Sequence, residues 1–150
     1  QAVRSSEGSL RLAARMSKLG AWWISYPERS LFWSPEVRRI HGVPEDFQPT
    51  IETAIGFYPL GIQSRVAQAV EACEKRLEPF DFETEFRDSE GRVLWVRAIG
   101  EPEVDPVSGA LRRIVGTFQD ITEPRNAALA LAESRERLST AFWGAGMSLA

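Results

Sequence analysis

The chain has 150 residues, 43% of them hydrophobic, which is enough to bury one core of ordinary domain size. A net charge of -3 with no Lys/Arg-dense run argues against nucleic acid or an anionic membrane surface as a partner. The single cysteine, Cys73, excludes an internal disulfide and fits a reducing, cytoplasmic compartment, and the apolar runs are too short for a membrane span or a signal peptide. The chain opens on Gln1 and breaks off in mid-pattern at Ala150, so it reads as a piece of a longer protein whose other parts could include a membrane anchor.

From Ser9 to Lys18, Leu10, Ala13, Ala14 and Met16 fall at helical spacing, predicting an amphipathic helix within residues 1–19 that Gly20 ends. GAWWISYPERSLFW then reads as two aromatic strands around the turn Pro27-Glu28-Arg29-Ser30. Ser34-Pro35 is a helix start, cap then first position, and Gly42 stops that short helix after His41. Thr50 caps a second short helix through Phe57. A long one runs from about Ile62 to Arg76, with Ile62, Val66, Ala69, Val70, Cys73 and Leu77 on one stripe, and Pro79 prevents its continuation.

The next stretch organises the rest. Phe80, Phe82, Thr84 and Phe86 alternate with Asp81, Glu83, Glu85 and Arg87, the pattern of a half-buried strand. Asp88-Ser89-Glu90-Gly91 turns the chain into a second strand, Val93 to Gly100, and Asp105 to Gly109 reverses it into a third, Leu111 to Ile121. The order predicts an α+β domain: a five-stranded antiparallel sheet with helices over one face, flanked by N-terminal and C-terminal helices. Leu94, Val96 and Ala98, with Ile114, Gly116 and Phe118, continue the inner face begun by Phe82 and Phe86, so the interior is almost wholly apolar and Thr84 is one of its few polar groups.

Three separated motifs carry a resemblance: Trp33-Ser34-Pro35-Glu36, then Asp88-Ser89-Glu90-Gly91-Arg92 leading to Trp95-Val96, and Gly116-Thr117-Phe118-Gln119-Asp120-Ile121-Thr122. GAWWISYPERSLFWSPEVRRIHGVPEDF resembles the opening of a PAS domain, and the segment from Phe80 to Thr122 resembles the C-terminal PAS half often called the PAC motif. The resemblance covers residues 20–122. It implies a bacterial-type sensory and dimerisation module that senses or relays a signal to an output domain, and it implies no catalysis in this chain. The full protein would then be a histidine kinase or a diguanylate cyclase or phosphodiesterase. It also makes Asp120, Ile121 and Thr122 the joint between sensor and output, the other reading of Asp120 being an ordinary strand-end residue.

Residues 123–142 are rich in Ala, Leu, Glu and Arg and predict a connecting helix. Leu131 and Leu138 lie one heptad apart, with Ala127, Ser134 and Ala141 between or beyond them at coiled-coil spacing. The helix either folds back on its own domain or pairs in a parallel coiled coil that relays a signal, and the resemblance favours the relay. Aligning Leu12 with Leu138 also aligns Gly20 with Gly146, so residues 143–150 read as the start of a second PAS domain in a tandem array.

The candidate ligand pocket is Trp33, Phe57, Phe82, Thr84, Phe86, Val96 and Phe118. Flavin-binding PAS domains of the light-oxygen-voltage type carry amide side chains where this chain has Phe86, Val96 and Phe118, and Cys73 lacks the surroundings of their reactive cysteine. Haem asks for an axial ligand. The only histidine, His41, is outside the long helix from which haem-binding relatives take theirs, and reads as structural or surface. Trp22, Trp23, Phe32 and Tyr58 read as core packing or as rings stacked on a flat ligand. The expectation is a domain without a cofactor, with a small apolar ligand or non-covalent flavin left open. The alternative function is a ligand-free interaction and spacer module. A homodimer is expected through Leu10, Ala13 and Met16, the outward-facing Trp95, and the seam of Leu131 and Leu138, alongside adjacent PAS and output domains as partners.

Overall fold

The computed structural model describes residues 18–149, with side chains to residue 138. The expected N-terminal helix, with Leu10, Ala13 and Met16, lies outside the described residues. The elements are β1 (Leu19–Ser25), β2 (Ser30–Trp33), α1 (Pro35–His41), α2 (Ile51–Gly56), α3 (Leu60–Arg76), β3 (Phe80–Arg87), β4 (Val93–Val104), β5 (Leu111–Asp120) and α4 (Thr122–Leu149). One compact unit closes at Asp120, and a second begins at Ile121.

The five strands form one antiparallel sheet in the order β2-β1-β5-β4-β3. Pairing β1 with β5 brings the first hairpin beside the last strand, so residues far apart in sequence share the inner face. Trp22 sits opposite Gly116 and Ile24 opposite Ile114, while Phe82 faces Ala98 and Thr84 faces Val96. Phe86, Val96 and Ile114 are fully buried there, with Val37 of α1 and Cys73 of α3 closing the core from the helical side. Burying side chains of this size stabilises by about 1.5 to 3 kcal/mol each.

The caps follow the expected chemistry. Ser34 accepts from the Val37 amide and Gly42 takes the left-handed conformation at φ 72. Thr50 and Thr53 form a reciprocal capping box on α2.

The structure departs from the sequence expectation at several points. Helix α3 begins at Leu60 rather than Ile62, because Pro59 starts it and Leu60, 87% exposed, adds nothing to the apolar stripe. Leu77 is not on the buried stripe: it closes α3 at φ 56 with its amide on the Cys73 carbonyl, and its side chain turns outward. Strand β4 continues past Gly100 to Val104, and Pro102 is tolerated because β3 pairing ends at Gly100, leaving the proline nitrogen on an open edge. Gly20 is not a helix stop but a strand residue opposite Phe118. A Cβ there would run into Val37 and Ser34, so the glycine lets α1 lie close on β1.

Two ion pairs brace the outer face. Arg97 grips Asp81 through both nitrogens at 2.9 and 2.7 Å, and Arg113 grips Glu103 at 3.0 and 3.1 Å. Trp23 and Phe32 stack on that same face at 4.1 Å, with the Arg113 guanidinium 5.8 Å from the Trp23 ring. Helix α4 is continuous past Phe142 to Leu149, and Leu131 and Leu138 are exposed on it. No described helix is long and apolar enough to cross a membrane.

Candidate functional site

Two glycines shape the floor of the core. Gly100 and Gly116 are cross-strand partners on the inner face. A Cβ at Gly100 would collide with the Phe80 ring, and one at Gly116 with the Trp22 indole and the Ile99 carbonyl. Both rings therefore lie over bare backbone, where they stack on each other at 6.0 Å. Trp22 is fixed further by its indole N–H, which donates to the Thr117 carbonyl at 3.1 Å.

Facing this floor is α1, which carries Val37, Ile40 and His41 inward. Its start is tied to β1 by the Ser34 hydroxyl, which accepts from the Ala21 amide at 3.0 Å. Arg38 braces it by donating to the carbonyls of Trp33 and Phe47. The His41 imidazole is 3% exposed. It lies nearly parallel to Trp33 at 3.9 Å and to Phe118 at 4.9 Å, and meets Phe57 and Phe86 at right angles at 4.8 and 4.9 Å. Its Nδ1 is 2.8 Å from the Val37 carbonyl oxygen. Burial lowers its pKa to about 4, only partly opposed by the bond to Val37, so the ring is neutral at physiological pH.

A carbonyl only accepts, so Nδ1 carries the proton and Nε2 is left with a lone pair. Nε2 makes no hydrogen bond to any described residue, yet no sealed polar side-chain atom among the described residues lacks a partner. Nε2 therefore keeps accessible surface, and His41 lines a half-open cavity of about 70 Å³ between the sheet and helices α2 and α3.

The turn after β3 holds the far end of α1. The Ser89 amide donates to the His41 carbonyl at 2.8 Å, and the Ser89 hydroxyl donates to the Gly42 carbonyl. Asp88 is buried beneath this contact and accepts from the Glu90 and Arg92 amides at 3.0 and 2.9 Å and from Arg92 Nε at 2.8 Å. Burial alone would raise its carboxyl, but those bonds hold it below the usual aspartate range.

Of the residues expected in a pocket, Trp33, Phe82 and Phe118 line the cavity. Phe57 and Phe86 pack against the edge of His41 rather than lining it, and Val96 is sealed in the sheet. Thr84 faces a separate surface pocket beside Ile62 and Arg65. Asp120 lies at the end of β5 opposite Val96, and its amide donates to the Lys18 carbonyl at 3.0 Å. Ile121 and Thr122 begin the second unit, where the Arg125 amide donates to the Ile121 carbonyl. Trp95 is half-buried on the outer face. Trp22 and Trp33 belong to the core, Trp23 and Phe32 do not.

The central position of His41 was missed by sequence reasoning. The available signal was its spacing from Val37, four residues on along one helix face. Cys73 is buried, which pushes its thiol pKa up and keeps it protonated. No cluster of three or more His, Cys, Asp or Glu that could hold a metal occurs among the described residues.

A family model of the PAS fold matches residues 30–118. The chain belongs to the PAS fold family. The matched span runs from β2 through most of β5 and takes in α1, the Asp88 turn and the cavity lining apart from Trp22 and Ile24. Among solved structures, this PAS domain is similar to a sensory box histidine kinase/response regulator from Burkholderia thailandensis E264, at 24% identity and a TM-score of 0.63 over 87% of this chain and 98% of that one. It is also similar to the N-terminal domain of a diguanylate cyclase with a PAS/PAC sensor from Marinobacter aquaeolei, at 16% identity and a TM-score of 0.65 over 71% and 98%. The light-oxygen-voltage domain of Aureochrome1, a blue-light photoreceptor, matches at 12% identity and a TM-score of 0.59 over 81% and 96%. No curated protein gives a significant match. The fold is that of a sensor domain rather than a catalytic one.

Proposed function

We propose that this PAS domain is the sensory and dimerisation module of a cytoplasmic multidomain signalling protein. It passes changes in its core through Asp120, Ile121 and Thr122 into α4, and so to a histidine kinase or cyclic-di-nucleotide output domain elsewhere in the chain. The observation that carries this reading is the course of β5. The strand holds Ile114 and Phe118 in the core, pairs with both β1 and β4, and is followed after Ile121 by the helix Thr122–Leu149. A shift of Phe118 against His41 is therefore a shift of the strand that feeds the outgoing helix.

The Leu131 and Leu138 seam would pair two such helices, with Leu10, Ala13, Met16 and Trp95 forming the other contact of a homodimer. The test is a chimera in which this chain replaces the sensor of a PAS-regulated histidine kinase. Inserting one heptad after Leu131 should preserve kinase output, and inserting half a heptad should change it. Equal output from both insertions would sink the relay. Light scattering over a concentration series should show a weak dimer that Leu138→Glu disperses; a wild-type monomer near millimolar concentration would remove the dimer.

A second reading, a ligand-free spacer in a tandem array, is favoured by how little room the core leaves. A cavity of about 70 Å³ is smaller than the roughly 150 Å³ that admits benzene. A three-ring flavin would need the core to open, and the positions of Phe86, Val96 and Phe118 offer it no amide. An absorbance spectrum and a native mass of the purified protein separate the two readings.

A further inference from the structure

The cavity is built almost wholly from apolar and aromatic side chains, among them Ile24, Leu31, Ile51, Val66 and Phe82, and four of its lining residues, Trp22, Trp33, His41 and Tyr58, carry a polar side-chain atom, that of Trp22 being bonded to the Thr117 carbonyl. His41 is 3% exposed and Tyr58 is 8% exposed. Neither the His41 Nε2 nor the Tyr58 hydroxyl makes a hydrogen bond to a described residue, and neither is sealed off. Buried polar groups in proteins are almost always satisfied, so a polar atom kept open to an apolar-lined cavity points to a partner that enters it. The tautomer fixes what that partner must present. With the Nδ1 proton held by the Val37 carbonyl, Nε2 can only accept.

We propose that the cavity is a binding site for a small, largely apolar molecule carrying a hydrogen-bond donor, which it gives to Nε2 of His41 while its hydrocarbon part lies on Trp22, Phe80 and Phe82. The class is that of short-chain alcohols: a few carbons to match about 70 Å³ and a hydroxyl that donates to His41 and is able to accept from Tyr58. A ketone of the same size can accept from Tyr58 but has no proton to give, so it leaves the lone pair of Nε2 without a partner. His41 is poised to report the event, because its ring touches Phe118 of β5 and its carbonyl holds Ser89 of the β3–β4 turn. Burial, which keeps the imidazole neutral, preserves the acceptor across the physiological pH range.

This inference deepens the sensory reading by naming a ligand class, and its test needs no output domain. Long-range proton–nitrogen spectra of the isolated chain should show His41 protonated on Nδ1. Titration with 2-propanol should then shift the Nε2 resonance and the amides around the cavity, with an affinity about tenfold or more above that of acetone, the discrimination expected when one buried hydrogen bond is made or lost. Xenon, which needs only volume, should perturb the same residues. In His41→Phe the alcohol should bind no better than acetone while xenon still binds. The proposal is overturned if Nε2 carries the proton, if acetone matches 2-propanol, or if neither alcohol nor xenon reaches the cavity. Should His41→Phe fail to fold, the alcohol-to-ketone ratio of the wild type decides alone. A chain that binds alcohol but drives no chimera loses only the relay; one that drives a chimera without binding loses only this site.

Discussion

The sheet reverses twice through turns that are locally alike and globally different. In the first, Asp88 Oδ1 accepts from the Glu90 and Arg92 amides and Gly91 sits at φ 82. In the second, Asp105 Oδ1 accepts from the Val107 and Ser108 amides and Gly109 sits at φ 74. Each is an aspartate-nucleated loop closed by a left-handed glycine. The first is docked: Ser89 bonds to the carbonyls of His41 and Gly42, and Asp88 is buried under it. The second carries Val107 into solvent, 95% exposed. The same local chemistry thus serves once as a clamp on the helix that places His41 and once as a plain connection. What a turn does for the protein is set by what it lies against.

The largest test of that contrast goes through the core. Phe118 backs the His41 ring, so Phe118→Ala should cost about 3 to 5 kcal/mol in a denaturant melt, whereas Glu83→Ala on the outer face should stay within about 0.5 kcal/mol. Hydrogen exchange on the Phe118 variant should show Glu90 and Arg92 amides losing protection more than Val107 and Ser108. Uniform loss at both turns would mean that the clamp is no more coupled to the core than the connection is.

Acid should find the same coupling. Native His41 resists protonation down to about pH 4, against an ordinary value of 6.5. Between those values the unfolded chain binds more protons than the native one, so stability falls as pH falls from 6.5 and is unaffected by this group above it. The accumulated loss by pH 4 is about 3 kcal/mol. Asp88, held low, contributes its own loss as pH falls through the ordinary aspartate value of 3.8. His41→Phe should flatten the slope between pH 6.5 and 4; an unchanged slope in that variant would place the titrating group elsewhere.

These effects mark where sequence reading stops. Alternation from Phe80 to Arg87 and the caps at Ser34 and Thr50 made most strands and helices legible, because period and capping are local properties. The PAS family was legible for a related reason: its motifs fall on caps and turns, where few residue types satisfy the backbone. The order β2-β1-β5-β4-β3 was not, since pairing Trp22 with Gly116 joins distant segments. Nor was the pocket. Seven aromatic and β-strand positions were named for it, but Phe57, Phe86 and Val96 fill the core beside the cavity while Trp22, Phe80 and His41 shape it. A glycine pair that lets two rings lie flat, and a histidine turned inward at a helix end, depend on contacts that no window of sequence contains.

The clamp itself is next in size. Asp88→Ala strips the acceptor from two backbone amides and from Arg92, and a buried, charge-assisted set of this kind should cost about 2 to 3 kcal/mol. Asp105→Ala removes the same number of amide bonds, two, but no arginine bond, and leaves its amides open to water, so thermal melts should show a clearly smaller loss. Comparable losses would say that the two turns contribute only their local bonds and that docking on α1 adds nothing.

The smallest effect isolates the docking contact from the backbone. Gly42 and Gly109 have nearly the same φ, 72 and 74, so alanine at either meets the same left-handed penalty of about 1 kcal/mol. They differ in surroundings: a Cβ at Gly109 meets nothing within 4 Å, while one at Gly42 comes within 2.9 Å of the Ser89 hydroxyl that bonds to the Gly42 carbonyl. Gly42→Ala should therefore cost about 1 kcal/mol more than Gly109→Ala, the worth of one hydrogen bond displaced. Putting both into a Ser89→Ala background removes the hydroxyl and should erase that difference, leaving two equal backbone penalties. A difference that survives Ser89→Ala would show that Gly42 is constrained by the end of α1 alone, and that the β3–β4 turn rests on the helix without holding it.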